Sequence, residues 1–426
     1  MTETPTPGGR YHAPARVPSA PRLISPAGAG KVNRTRLLQI LYDVGPSSRA
    51  QLARISRVTK TTIGAIVQPM IDDGILVEGE PQQSSSQGGK PARPIWFSPV
   101  DRPTVAVHVL PGTVRAALVS LTGSVITESS ASFDPIERDQ DAIIDRVTST
   151  IQAVLPSDGG ALPGGVALPG GGVLGGGVLG VGVAVAGIVN TDEGRIVEVN
   201  LAPGLAGLEL GPLLSRRLGL PVHLDHHPRV QALGDRWFGS GRRASSFASI
   251  YCGEAIGVGL VIDGAVHRGA AGAGGEAGHT IVDLGGTVCR CGRTGCWETI
   301  ASHRWLQAEA AIAGLPAADA LTVGPLARLA AGNNPQAAEL FDRFARNVAI
   351  GIINLQQILA PGLFILHGDV VQGGEELRER VQKYVVDGIP AHAGGAPAIT
   401  FASTDDDITL LGAAALVLSQ SLDLLT

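Results

Sequence analysis

The sequence predicts an α/β protein: a winged helix-turn-helix at the amino end, then a larger α/β body that carries a cysteine-rich metal loop. Three observations point there. Residues 1–100 hold twelve Lys and Arg against six Asp and Glu, while the remainder is acidic enough to bring the whole chain to −5. Three closely spaced helical periods precede two strand-like runs within that basic portion. Three of the four cysteines fall between Cys289 and Cys296. With 426 residues, 44% hydrophobic and 17% charged, the chain is globular and long enough for two or three domains. The opening MTETPTPGGRYHAPARVPSAPR lacks the apolar centre of a secretory signal, so residues 1–30 read as a disordered tail and the location as cytoplasmic.

In NRTRLLQILYDVG the apolar Leu37, Leu38, Ile40 and Leu41 share one face, and Gly45 with Pro46 stops the helix. Ser48, followed three places on by Gln51, matches a capping box and starts a second helix that runs to about Ile55. After a turn at Ser56 to Val58, Ile63, Ile66, Val67, Met70 and Ile71 recur at the spacing of a third, strongly amphipathic helix. Its outward residues are small or polar, which suits a helix entering a major groove. Pro69 removes one backbone donor and implies a kink beyond the reading residues. The runs ILVEGE and GGKPARPIWF then pair as a wing around a Gly- and Ser-rich tip. Three amphipathic helices alone would equally suit packing against neighbours; the basic excess, the short turns and the wing decide for DNA. The candidate DNA contacts are Arg49, Thr59, Lys60, Thr61 and Thr62 on the helices and Lys90 and Arg93 on the wing. The domain spans residues 31–100.

Residues 101–426 form the body. No charge occurs between Asp158 and Asp192, yet the repeated glycines with two prolines make a poor helix for a membrane, where a spanning segment must satisfy its own backbone. The stretch reads as a Gly-rich insertion near 157–177 feeding a buried strand, Val178 to Val185, and no membrane partner is expected.

Cys289, Cys291 and Cys296 are spaced to bring three thiolates onto one tetrahedral zinc ion, with His279, ten residues upstream, the nearest fourth ligand. IVDLGGTV between them could fold His279 back as a strand and turn. Incidental thiols or a redox pair is the competing account, and the histidine beside a cluster in a cysteine-poor chain favours a structural Zn2+. Cys252, within ASIYCGEAIGVGL, reads as a buried small hydrophobe.

The run from His279 to Glu298, GH-x9-CxCGxxGCxE, with Glu276 completing an E-x-G-H element, resembles the zinc motif of the ROK family, which groups sugar kinases with sugar-responsive repressors. The resemblance spans about residues 33–426. It implies an actin-like, ribonuclease H-like fold of two α/β lobes around a cleft, and places Glu276, His279 and Glu298 on sugar hydroxyls, His279 also on the metal. Carboxylates suit that task because each accepts hydrogen bonds from neighbouring hydroxyls.

Kinase members resemble one another in an Asp-x-Gly-Gly-Thr phosphate turn; here the stretch is HVLPG, His108 to Gly112. Their Asn-Asp pair, whose Asp is the general base, is replaced by His226 and His227, the remaining sugar-site candidates. A histidine there could accept a proton or could only hydrogen-bond and pack. GEAIGVG puts Glu254 where phosphate would approach, and ILHGD keeps only Gly368 of a Gly-Gly turn. The expectation is a non-enzymatic regulator, a repressor of sugar-metabolism genes, with a double-stranded DNA operator and a small-molecule sugar effector as partners. Paired half-sites call for a homodimer or homotetramer, with AAELFDRFARNVAIGIINLQQIL as an assembly helix or as lobe core. An ATP-dependent kinase with an added head, and a regulator that has exchanged its sugar for another signal, are the rivals.

Overall fold

A computed structural model of the chain describes residues 26–81, 92–98, 102–156, 177–199, 201–272, 274–390, 395–403 and 407–421. The first helix, α1 (Pro26–Val44), begins five residues before the expected domain boundary, so that part of the predicted tail is helix; Pro26 fits a first turn because its missing N–H has no helical acceptor to lose. Strand β1 (Ser47–Ser48) leads into α2 (Arg49–Ser56), where Ser48 and Gln51 form the capping box read from the sequence. Helix α3 (Lys60–Asp72) is capped by Thr59 and runs through Pro69 to its end. The wing is β2 (Leu76–Glu78) against β3 (Pro94–Phe97), which also pairs with β1. The wing tip, with Lys90, lies outside the described residues.

Two five-stranded sheets follow, each with the same plan: three antiparallel strands extended by two parallel ones. The first contains β4 (Thr104–Leu110), β5 (Thr113–Val119), β6 (Val125–Ser132), then, after α4 (Gln140–Gln152), β7 (Val181–Val185). The short pair β8 (Ile188–Asn190) and β9 (Arg195–Glu198) and helix α5 (Leu210–Leu218) precede its last strand, β10 (Val222–His226). Its order is β10-β7-β4-β5-β6. The buried strand expected from Val178 begins at Val181, and of the Gly-rich insertion residues 157–176 fall outside the described residues. Helix α6 (His227–Trp237) crosses to the second sheet, built from β11 (Phe247–Cys252), β12 (Ile256–Ile262), β13 (Ala265–Val266) and, after α7 (Glu298–Ala301), α8 (His303–Ile312), α9 (Val323–Ala331) and α10 (Pro335–Leu359), β14 (Leu363–His367). Helix α11 (Gly374–Gly388) and β15 (Ala398–Phe401) complete the order β13-β12-β11-β14-β15, and α12 (Ile408–Ser421) returns to the first lobe. The repeated order is the two-lobed arrangement the resemblance implied. Helix α10, one candidate for assembly, buries Leu340, Phe341, Phe344, Val348 and Ile352 in the core of the second lobe.

The lobes meet along α6 and α12. A Cβ on Gly234 would stand 2.1 Å from the Ile408 carbonyl oxygen, and one on Gly412 would stand 1.9 Å from that of Val230, so only glycine lets these backbones approach. The head is seated on the same pair. Tyr42 of α1 packs on Phe97, Trp237 and Phe238, with ring centroids 4.4, 5.7 and 5.6 Å away, and its hydroxyl donates to the Leu121 carbonyl. Arg236 reaches Gln39 at 2.6 Å and Arg242 reaches Asp43 at 2.7 Å. One apolar cluster runs from Leu38, Leu52 and Val67 in the head to Trp237, Phe247 and Leu416 in the body.

Candidate effector cavity and metal loop

The carboxyl ends of the parallel strands open into a cavity of about 640 Å³ between the lobes, and all five sugar-site candidates line it. His226 ends β10 and His227 begins α6; Glu276 and His279 come from the loop after β13, and Glu298 starts α7. His226 Nδ1 lies 3.6 Å from Glu276 Oε1, and Glu298 Oε2 accepts from the Ile256 N–H at 3.1 Å. The corner is braced from behind by buried Asp225, which accepts from its neighbour's N–H at 2.7 Å, from Arg229 Nε at 2.7 Å and from Arg268 Nε at 2.9 Å. Arg229 also donates to Gly272 O at 2.6 Å, tying the loop that carries Glu276 to the start of α6. This bracing was not read from the sequence; an Asp and an Arg at i, i+4 beside the histidines was its one local trace.

Burial dominates the electrostatics. It lowers His226 to about 3 and His227 to about 4, with the Arg229 charge adding to the first and His367 to the second, so both imidazoles are neutral at physiological pH. Burial also raises Glu276 above the ordinary carboxylate value. Neutral imidazoles and carboxylates together offer both donors and acceptors for hydroxyl groups.

His279, Cys289, Cys291 and Cys296 place one ligand atom each within 4.8 Å of one another. No continuous strand folds His279 back. Isolated bridges, Ile281 with Cys296 and Val288 with Thr294, do so, and Gly295 is required at φ 73° because a Cβ would meet the Asp283 carbonyl oxygen at 1.5 Å. Burial and neighbouring thiols push Cys296 up to about 12; at Cys291 burial acts in the same sense, but hydrogen bonds from the Arg293 backbone and side chain outweigh it and bring the thiol to about 6. A bound dication would favour thiolates at all three. The loop is pinned by Trp297, buried against α10, whose indole donates to Asn347 O at 2.9 Å. Cys252 is 2% exposed in the core, and burial pushes its thiol up to about 12.

On the far side of His227, where the resemblance would put phosphate, Leu110 and Pro111 cap the β4–β5 hairpin. Pro111 has no N–H to offer an anion. Glu254 faces His303 at 3.2 Å, whose other nitrogen lies 2.8 Å from Asp369, so two carboxylates share one imidazole.

In the head, Thr59, Lys60 and Thr61 are exposed at the amino end of α3, while half-buried Thr62 spends its backbone N–H on the Thr59 cap. Arg93 is exposed beside the wing. The guanidinium of Arg49, also a candidate contact, is paired with Glu78 of β2 and lies 3.4 Å from Gln68, so it joins α2 to the wing. Arg54, in the last turn of α2, and Arg57, at its C-cap, were not singled out in the sequence and stand exposed; their position just before the Thr59 cap was the available signal. Among the described residues no helix is long and apolar enough to cross a membrane.

Comparison with known proteins agrees with this layout. The ROK family model matches residues 174–420. The xylose repressor of Caldicellulosiruptor bescii is 24% identical over 374 residues, 83% of this chain and 87% of that protein. A ROK family transcriptional regulator homologous to the Escherichia coli Mlc protein superposes with a TM-score of 0.74 at 22% identity, covering 93% of this chain and 98% of its own. The ROK hexokinase of Thermus thermophilus gives 0.61 at 23% identity over 75% of this chain and 99% of its own, and so shares the fold over a smaller part of it. With the family model spanning more than half of its length, the chain belongs to the ROK family.

Proposed function

We propose that the protein is a sugar-responsive, DNA-binding transcriptional repressor, whose body binds its sugar without phosphorylating it. The observation that carries this reading is α6, which starts in the effector cavity at His227 and ends against the DNA-binding head at Trp237. Exposed Thr59, Lys60 and Thr61, with Arg54, Arg57 and Arg93, would meet the operator; Lys90, outside the described residues, remains a candidate from the sequence. Glu276, Glu298, His226 and His227 would hold the sugar, and His279 would serve the metal and the site together. Three thiols with one imidazole suit a structural Zn2+ better than a hard cation such as Ca2+. Two heads on a palindromic operator imply a homodimer or homotetramer in the cytoplasm.

Leu110, Pro111 and the Glu254–His303–Asp369 arrangement weigh against phosphoryl transfer, since Pro111 has no N–H to offer and the two carboxylates would repel a polyphosphate. The deciding experiment is binding of labelled DNA from upstream of the protein's own gene at fixed salt, with a sugar panel, alongside an assay for ADP release. Specific binding relieved by one sugar, with no ADP, is the expected result; turnover without specific DNA binding would establish the kinase reading instead.

A further inference from the structure

The cavity has two unlike walls. Glu276, His279 and Glu298, from the metal-loop side, make one polar. The other is largely apolar: Leu110 and Pro111 at the β4–β5 turn, Ala186 after β7 and Ile188 at the start of β8, with the exposed Glu198 opposite Ile188 in the β8–β9 pairing as the one carboxylate on that side. These residues are neighbours because β4 and β7 run parallel with Val109 opposite Val185, and the Ala186 N–H donates to Val109 O at 3.1 Å. Ile188 remains 42% exposed while lining the cavity, so this wall presents apolar surface to whatever enters. At about 640 Å³ the space lies in the range of drug-sized ligands and exceeds what one sugar ring fills. Its charged lining, Glu198, Glu254, Glu276 and Glu298 against Arg290 and Arg293, does not favour a phosphate.

Resting on the sugar-binding reading above, we propose that the effector is a glycoside with an apolar aglycone, its sugar against Glu276, Glu298 and the two histidines and its aglycone, an aryl group or short alkyl chain, against Leu110, Pro111, Ala186 and Ile188. The polar wall selects the sugar through hydroxyl contacts. The apolar wall supplies affinity by removing aglycone surface from water.

The test is titration calorimetry of the full chain with matched free sugars, methyl glycosides, phenyl glycosides, disaccharides and sugar phosphates. For the sugar that binds, the phenyl glycoside should bind at least about tenfold more tightly than the methyl glycoside, the scale of discrimination set by a small change in apolar contact. Ile188→Ser, at an exposed position, and separately Leu110→Asn should bring that ratio toward unity. A phenyl glycoside no tighter than the methyl glycoside, a disaccharide or sugar phosphate that outranks it, or a ratio that survives both substitutions overturns the proposal while leaving sugar binding intact. Failure of every sugar and glycoside overturns the sugar reading together with it.

Discussion

His227 stands where the resemblance places a kinase base, and its surroundings give it another task. Its ring lies 4.7 Å from that of His108 and 5.0 Å from that of Tyr251, in a site where burial holds it at about 4. An unfolded histidine titrates near 6.5. Between about 6.5 and 4 the unfolded chain therefore binds a proton that the folded chain refuses, so the stability tied to this group is complete above that window and is lost as pH falls through it. Burial also lowers His108, in the same sense. His227→Asn should flatten the decline of melting temperature with falling pH by about one proton's worth of slope; an unchanged profile would show that His227 is not the titrating group. At the metal, Cys291→Ala leaves three of four candidate ligands, and elemental analysis should find bound metal falling from about one per chain toward none, with a lower melting temperature. This ligand set was legible because cysteine is rare here and its spacing is local. The pairing of Arg49 with Glu78 was not legible, because 29 residues and a change from helix to strand separate the two.

The elements of the head were legible to the extent that their signals are local. Ser48 and Gln51 announced α2 because a capping box is completed within one turn. Ser48→Ala should therefore lower stability by about 1 kcal/mol in urea unfolding, unless β1 pairing holds the turn without the cap. Pro69 costs α3 one donor, and the helix continues through it to Asp72 because its face, through Ile63, Val67 and Met70, is buried. The metal loop gives the opposite lesson. Its cysteines are visible in sequence, whereas its anchor is not: Trp297 lies flat on α10, where a Cβ on Gly351 would come within 2.2 Å of the indole. A contact 54 positions away leaves no periodic trace. Gly351→Ala keeps good helix propensity yet must displace Trp297, so it should destabilise the fold and weaken metal retention in a chelator competition. Retention equal to that of the unsubstituted chain would show that the loop holds its geometry without this seat.

Across the whole molecule, the sequence shows a head and a body but not their shared core, since no periodicity marks which apolar residues face another domain. Tyr42 illustrates why. It sits on the polar shoulder of α1 in sequence, yet it fills the space between Phe97 of the wing and Trp237 and Phe238 at the end of α6. A ligand that moves the start of α6 must act on this seat, because the close contacts at Gly234 and Gly412 leave no slack between α6 and α12. The size of the coupling can be read as the ratio of operator affinities with and without saturating sugar, typically 1–3 kcal/mol, and thermodynamic reciprocity demands the same ratio in sugar affinity with and without operator. Tyr42→Ala removes a buried aromatic seat and should lower that ratio toward unity while sugar affinity of the DNA-free protein stays within about twofold. Asp43→Ala removes only the half-exposed ion pair with Arg242, worth about 1 kcal/mol or less, and should leave most of the coupling in place. If Asp43→Ala abolishes the response and Tyr42→Ala preserves it, the signal travels through surface charge rather than through the packed end of α6.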